Sequence, residues 1–510
     1  MTSIPLVARA GQFVGRTSVL AEEGQFTYQQ LLDTSAEVAA RLLDGKHDLG
    51  GARVAFLTPP SMTYVAVQWG IWRAGGVAVP LCVQHPEPEL AYVLDDAVAD
   101  IVVAHPDFAD RLQSLASGRG LRFGLTSKLV NLRADPLAVE LPKIDSTRDA
   151  MLVYTSGTTS RPKGAVTTHD NIAAQVTALI EAWGWSADDH ILEVLPLHHV
   201  HGIVNVVACA LWAGATCEIL PKFDCDRVWD RIIAGDGLTL FMAVPTVYAR
   251  LIKAWDAVTE SRRQAMTDGC RKLRLMVSGS AALPVPMLEK WRQVSGHTLL
   301  ERYGMTEIGM ALSNPLEGER RPGYVGRPLP RVELQLVDEH GQQVAGGQPG
   351  QIQVKGPAVF SRYWHKPEAT AAAFTSDGWF KTGDVAVLED NVYRILGRES
   401  VDIIKTGGYK VSALEIEDLL QTHEAVAECA VVGVADEEWG QRVAAAVVCK
   451  PGHVLDIDGL RNWGKDQLAP YKLPTLLRLM DALPRNPLGK VTKPVLVRQF
   501  ETSVHQSPST

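Results

Sequence analysis

The residue pattern predicts an α/β architecture with largely parallel sheets, and three observations carry that expectation. Apolar runs of strand length alternate with runs of helical periodicity along most of the chain. One such strand, Met151 to Tyr154, breaks directly into a loop of hydroxyls and glycines. At 510 residues the chain is too long for a single compact core, so at least two domains are expected.

The elements follow in order. Thr17 to Tyr28 reads as a first strand and turn. After it Leu31, Leu32, Ala36, Val38, Ala39, Leu42 and Leu43 recur at helical spacing. Val54 to Leu57 is a short apolar strand, followed by Pro59-Pro60 and an apolar helix from Tyr64 to Ala74. Gly75 to Pro80 reads as turn then strand, and Asp100 to Ala104 as a further strand. Residues 105–150 are more polar and irregular and carry no visible chemistry. Asn171 to Trp183 is a helix, and Ile191 to Leu195, Leu238 to Pro245 and Leu273 to Ser278 are strands.

Bulk properties narrow the function. The formal net charge is −8 with no dominant basic block, which argues against nucleic acid as the main partner. No apolar run reaches the length of a membrane-spanning helix. The seven cysteines are scattered without a CxxC pair and read as reduced and structural. The first 21 residues hold Arg9 and Arg16 and no acid, a faint transit-peptide composition. Because Thr17 to Tyr28 already reads as folded structure, a cytoplasmic location is expected.

The chemistry centres on Tyr154-Thr155-Ser156-Gly157-Thr158-Thr159-Ser160-Arg161-Pro162-Lys163-Gly164. Small residues let backbone N–H groups approach an anion, and hydroxyls and one Lys add donors, so the loop suits a polyphosphate. Its Lys-Gly order excludes a Walker A loop. A flexible surface turn is the plain reading, weakened here by the preceding strand and the terminal Pro-Lys-Gly.

Further signals follow. Pro196-Leu197-His198-His199-Val200-His201-Gly202 places three His in four positions. The spacing matches no zinc pattern, so a core or substrate-lining role is expected. Ser278-Gly279-Ser280-Ala281-Ala282 is a small-residue turn after a strand. Glu301-Arg302-Tyr303-Gly304-Met305-Thr306-Glu307 sets Glu307 after a strand, where a carboxylate can hold Mg2+ against phosphates. As a bland alternative, Glu307 is a helix first-turn acid. Arg302 is costly in a pocket unless it meets an anion, and an internal pair with Glu301 is the alternative. Downstream stand Thr382-Gly383-Asp384, Gly397-Arg398, Thr406-Gly407-Gly408 and Pro484-Arg485-Asn486-Pro487-Leu488-Gly489-Lys490.

Together, in this order, these motifs resemble the adenylate-forming enzymes, which include acyl-CoA synthetases, luciferases and peptide-synthetase adenylation domains. The resemblance covers nearly the whole chain. It implies a large domain of stacked α/β subdomains over residues 1–398 and a small mobile α+β lid over 399–510. The family hinge lies just after Arg398, where Ser400 or Val401 replaces the usual Asp or Lys. ATP, Mg2+ and coenzyme A are the implied cofactors and cosubstrates, with a small carboxylic acid as substrate and a monomer or homodimer as the assembly.

The resemblance also implies roles. Thr155, Ser156, Gly157, Thr158, Thr159 and Lys163 hold phosphates. Ser280, Ala281 and Tyr303 meet adenine, and Asp384 and Arg398 meet the ribose. Thr306 contacts the α-phosphate, and Glu307 with Thr159 holds the metal. Gly407 and Gly408 border the pantetheine tunnel, and Lys490 neutralises the transferring groups. Glu301-Arg302 and the His-rich loop further resemble malonyl-CoA and methylmalonyl-CoA synthetases, which maps a distal-carboxylate clamp onto Arg302 and His201, with Ser278 assisting. Alternatives are an uncharged short- or medium-chain acid, loading of a carrier protein, and a silent nucleotide-binding protein.

Overall fold

The computed structural model describes residues 4–132, 140–155, 162–407, 409–485 and 490–504. The expectations placed on Ser156, Gly157, Thr158, Thr159 and Gly408 therefore lie outside the described residues.

Two large mixed sheets form the body. The first has seven strands in the order Arg362–Tyr363, Lys163–Thr168, Asp149–Thr155, Val77–Pro80, Arg53–Leu57, Ile101–Ala104, Arg122–Leu125. Its last five are parallel, and the first two pair antiparallel. The second has nine strands, with a parallel centre of Leu300–Met305, Leu275–Ser278, Leu240–Ala243, His190–Glu193 and Thr216–Ile219. Central strands are apolar on both faces because helices cover both sides. Ala150 to Val153 and Val54 to Leu57 are fully buried.

Helix His169–Trp183 starts immediately after strand Lys163–Thr168. Thr168 and Asn171 cap it reciprocally, which satisfies two backbone donors at its open end.

Two expectations are corrected. Residues 105–150 are not irregular throughout, since they contain helix Ala109–Ser117 and edge strand Arg122–Leu125. That strand is half-buried and four residues long, so its periodicity is too weak to read. A four-stranded sheet of Glu333–Val337, Gly350–Lys355, Phe380–Glu389 and Val392–Arg398 is wholly antiparallel. Strand Phe380–Glu389 interleaves buried with half-buried residues instead of forming a continuous apolar run.

The remaining sheet combines Tyr409–Ser412, Ile403–Thr406, Gly440–Cys449, Val426–Asp436 and Leu476–Leu479. Helix Lys493–Val504 covers it. The two apolar clusters of this unit contain only residues from Ile404 onward. The four clusters of the body end at Ile395.

Candidate active site

A cleft of about 1440 Å³ opens where the nine-stranded sheet, the antiparallel sheet and the C-terminal unit meet. Arg302, Tyr303, Ser280, Asp384, Arg398 and Lys490 all line it.

At one end lies an isolated guanidinium. Arg302 follows Glu301, which pairs with Ser278 across neighbouring parallel strands. Arg302 is 3% exposed and, among the described residues, reaches only the Ser280 hydroxyl at 3.5 Å and leaves its buried Nε without a partner. Among the described residues it forms no ion pair, so the internal Glu301 pair is not made. Burial pulls its pKa down to about 9. Gly279 makes room for it, because a Cβ there would stand 2.3 Å from the Arg302 Cζ.

Neighbouring polar groups are also underused. His201 opens a π-helical segment, His201–Ala208, a geometry enriched at functional sites. Its Nδ1 meets the Ser280 hydroxyl at 3.1 Å, and its buried Nε2 has no partner among the described residues. Burial, then the Arg302 charge, holds its pKa well below the ordinary value, so the ring is neutral. The buried Ser278 hydroxyl is likewise unpartnered. Arg302 lines the cleft, whereas His201 and Ser278 stand behind its wall, with Ser280 between His201 and the opening.

His198 and His199 do line the cleft, with rings 4.0 Å apart and buried, unpartnered Nε2 atoms. Burial depresses both, to about 2 and about 4. No cluster of His, Cys, Asp and Glu among the described residues has metal-binding geometry.

The opposite end is tightly knit. The hairpin Phe380–Glu389 and Val392–Arg398 sets Asp384 opposite Arg398. Asp384 accepts from the Arg398 Nε at 2.9 Å and from the Tyr303 hydroxyl at 2.6 Å. Ser280 and Ala281 form the facing turn, where Ser280 adopts φ 68°.

The side toward Thr155 and Lys163 is held by aromatic hydroxyls. Tyr363 donates to the Glu307 carboxylate at 2.8 Å, and the Lys163 ammonium lies 5.0 Å from the Tyr363 ring centre. Glu307 is 5% exposed, and burial raises its pKa. Thr306 adjoins it, and the Thr155 hydroxyl donates to the Lys163 carbonyl at 3.4 Å. Asp96 ties both flanks of the loop. It accepts from Tyr154 at 3.0 Å and Lys366 at 2.7 Å, and Tyr92 beside it donates to the Pro162 carbonyl at 2.7 Å. The sequence offered no signal for Tyr363 or Asp96, since both act through contacts remote in the chain.

Lys490 enters from the C-terminal unit. Its side chain remains solvent-accessible inside the cleft, yet the surrounding walls, and then the Arg398 and Arg302 charges, lower its pKa. Gly407 does not join the cleft. It turns the hairpin between Ile403–Thr406 and Tyr409–Ser412 beside the exposed ring of Trp439.

The site's likeness to known proteins spans the chain. Residues 6–364 match the AMP-binding enzyme family and residues 415–490 the AMP-binding enzyme C-terminal domain. The mitochondrial malonate–CoA ligase of Mus musculus is 47% identical, over 99% of this chain and 92% of the relative. ATP-bound MatB from Rhodopseudomonas palustris superposes with a TM-score of 0.89 at 34% identity, covering 98% of this chain and 99% of that one. Apo MatB from the same organism gives 0.80 over the same coverage. A nucleotide-sized cleft carrying these motifs in order, joined to these matches, places the chain in the AMP-binding enzyme family.

Proposed function

We propose that this chain is an ATP-dependent acid–CoA ligase that forms malonyl-CoA or methylmalonyl-CoA. The observation that carries the substrate class is Arg302, a buried guanidinium with no anion among the described residues, facing the cleft. A substrate with a second carboxylate supplies that anion and relieves the burial penalty.

The reaction runs in two steps. A carboxylate oxygen attacks the α-phosphorus of ATP, and pyrophosphate leaves. The sulfur of coenzyme A, having lost its proton, then attacks the carbonyl carbon of the acyl-adenylate, and AMP leaves with the bonding pair. The chain needs no covalent nucleophile, so its residues position groups and stabilise charge.

Arg302 receives the distal carboxylate, with Ser280, the neutral His201 and Ser278 completing that end. Asp384 and Arg398 take the ribose, and Tyr303 with Ser280 and Ala281 frames adenine. Thr155 and Lys163, with Ser156, Gly157, Thr158 and Thr159 between them, cradle phosphates, and Thr306 meets the α-phosphate. Glu307 suits Mg2+, because its burial-raised carboxyl makes no ion pair among the described residues. The metal, when bound with ATP, neutralises phosphate charge. Lys490 stabilises charge between the acid and the α-phosphate. Gly407 and Gly408 serve the second step, after the lid turns.

We place the domain boundary at Arg398–Glu399, supported by the absence of any shared apolar cluster among the described residues. One chain furnishes all these residues, so a monomer suffices and a homodimer adds none of them. No described helix is long and apolar enough to cross a membrane. The cytoplasmic expectation stands on the residue pattern alone, and fractionation of cells expressing the tagged chain decides it.

The test is AMP release with ATP, Mg2+ and coenzyme A across malonate, methylmalonate, succinate, acetate, butyrate and octanoate. Preference for malonate or methylmalonate, lost in Arg302→Ala, is the expected result. A monocarboxylate preference unaffected by that substitution overturns the dicarboxylate reading.

A further inference from the structure

We infer that Asp402, through Lys493, is the latch that holds the lid in the orientation placing Lys490 in the cleft. This rests on the reading that the lid turns about Ser400–Val401 between the two half-reactions.

Asp402 spans that pivot. On the body side, its Oδ2 accepts from the backbone N–H of Arg398 at 3.0 Å, and its own N–H donates to the Arg398 carbonyl at 2.7 Å. On the lid side, its Oδ1 pairs with the Lys493 ammonium at 2.5 Å, and its carbonyl accepts from the Ala413 N–H. Lys493 also pairs with Glu417 at 2.7 Å, and Glu417 accepts from the Val431 N–H at 2.6 Å. The three charged side chains are only 10 to 17% exposed.

Each partner has a consequence. Arg398 itself holds Asp384 in the cleft, so the latch is anchored to the ribose end of the site. Lys493 opens helix Lys493–Val504 and lies three residues beyond Lys490, so fixing Lys493 limits where Lys490 can reach. The bond from the Arg398 N–H to Asp402 joins the two sides of the pivot. A turn at Ser400–Val401 carries Asp402 away from Arg398 and breaks it, whereas the Lys493 and Glu417 pairs lie within the lid and travel with it. Gly397 gives Asp402 its place, since a Cβ there, at φ +125°, would stand 2.4 Å from the Asp402 Cβ. The bond that breaks thus favours the acyl-adenylating arrangement alone. Asp402 and Lys493 are positioning residues that act through Lys490.

The experiment separates the half-reactions in the full-length enzyme. Malonate-dependent exchange of pyrophosphate into ATP reads the first step, and capture of supplied malonyl-adenylate by coenzyme A reads the second. Asp402→Ala and Asp402→Asn are compared with Lys493→Arg, and trypsin cleavage after Arg398 reports the pivot directly. Loss of a charge-assisted contact predicts exchange lowered about tenfold or more in Asp402→Ala, with thioester formation within about twofold of wild type. Asp402→Asn falls less, Lys493→Arg stays near wild type, and cleavage after Arg398 accelerates in Asp402→Ala at unchanged Tm. Parallel loss of both half-reactions, no loss in either, or unchanged cleavage overturns the latch. If the wild type exchanges with no acid tested, the ligase reading fails, and the cleavage comparison still decides the latch.

Discussion

The two ends of the cleft are built on opposite principles. At the proposed ribose end Tyr303, Asp384 and Arg398 satisfy one another at 2.6 and 2.9 Å. At the proposed acid end Arg302, His201 and Ser278 each keep a buried polar atom without a partner among the described residues. Buried polar groups are normally paired, and each exception costs stability. A finished network binds by exchanging one set of hydrogen bonds for another. An unfinished one leaves a buried charge, and on the proposed reading selectivity resides there because an acid with a second carboxylate of the right reach completes it.

The largest test of this contrast falls where the ends meet. Lys490→Ala is expected to lower acyl-adenylate formation by about 10²–10³-fold, leaving coenzyme A capture of supplied adenylate intact, as followed by pyrophosphate exchange and thioester assays. Its depressed pKa adds a pH signature. The protonated ammonium is lost at lower pH than in an ordinary lysine, so the alkaline limb of kcat/KM for adenylation falls below 10.5 in wild type.

Arg302→Met sharpens the contrast from the acid side. It should reduce kcat/KM for malonate by about a hundredfold while sparing butyrate. Because a buried unpaired charge is removed, Tm should hold or rise by about 1–3 °C in a thermal melt. Asp384→Asn should do the reverse. It breaks a completed network, so KM for ATP rises about tenfold with malonate KM unchanged, and Tm falls by about 2–4 °C. Equal thermal responses of the two variants would break the comparison.

The smallest effect is pH-dependent stability. Burial raises Glu193 and Glu301 to about 8. A carboxyl raised in the folded state stabilises fully below its unfolded value and loses that contribution as pH climbs through about 8. Tm should therefore decline from pH 6 to pH 9, and Glu193→Gln, at a residue that does not itself line the cleft, should recover about 1–3 °C of that decline.

Sequence legibility followed the same divide. Lys163 and Glu307 sit in motifs whose residue types suit phosphate and metal chemistry, whereas the roles expected of Asp384, Arg398 and Lys490 rest on the family resemblance. Arg302 was legible because a guanidinium beside a pocket demands an anion. Tyr363 and Asp96 were not, since their meaning lies in partners 56 and 58 positions away along the chain. The parallel strands were read from continuous apolar runs. The antiparallel sheet was missed because many of its residues are only half-buried, and Arg122–Leu125 because four half-buried residues carry no period. Gly407 was placed with the cofactor residues by resemblance, but its hairpin stands outside this cleft, consistent with a role reserved for the second half-reaction.

Gly279 gives the acid end an unexpected fragility. A single methyl there would occupy the space of the Arg302 guanidinium, 2.3 Å from its central carbon. Alanine at this position would therefore evict the charge without altering any charged residue. The appetite of the pocket is thus encoded twice, once as an arginine and once as an empty volume. A lineage could trade one acid for another by gaining a carbon atom in the floor while every polar residue stayed in place.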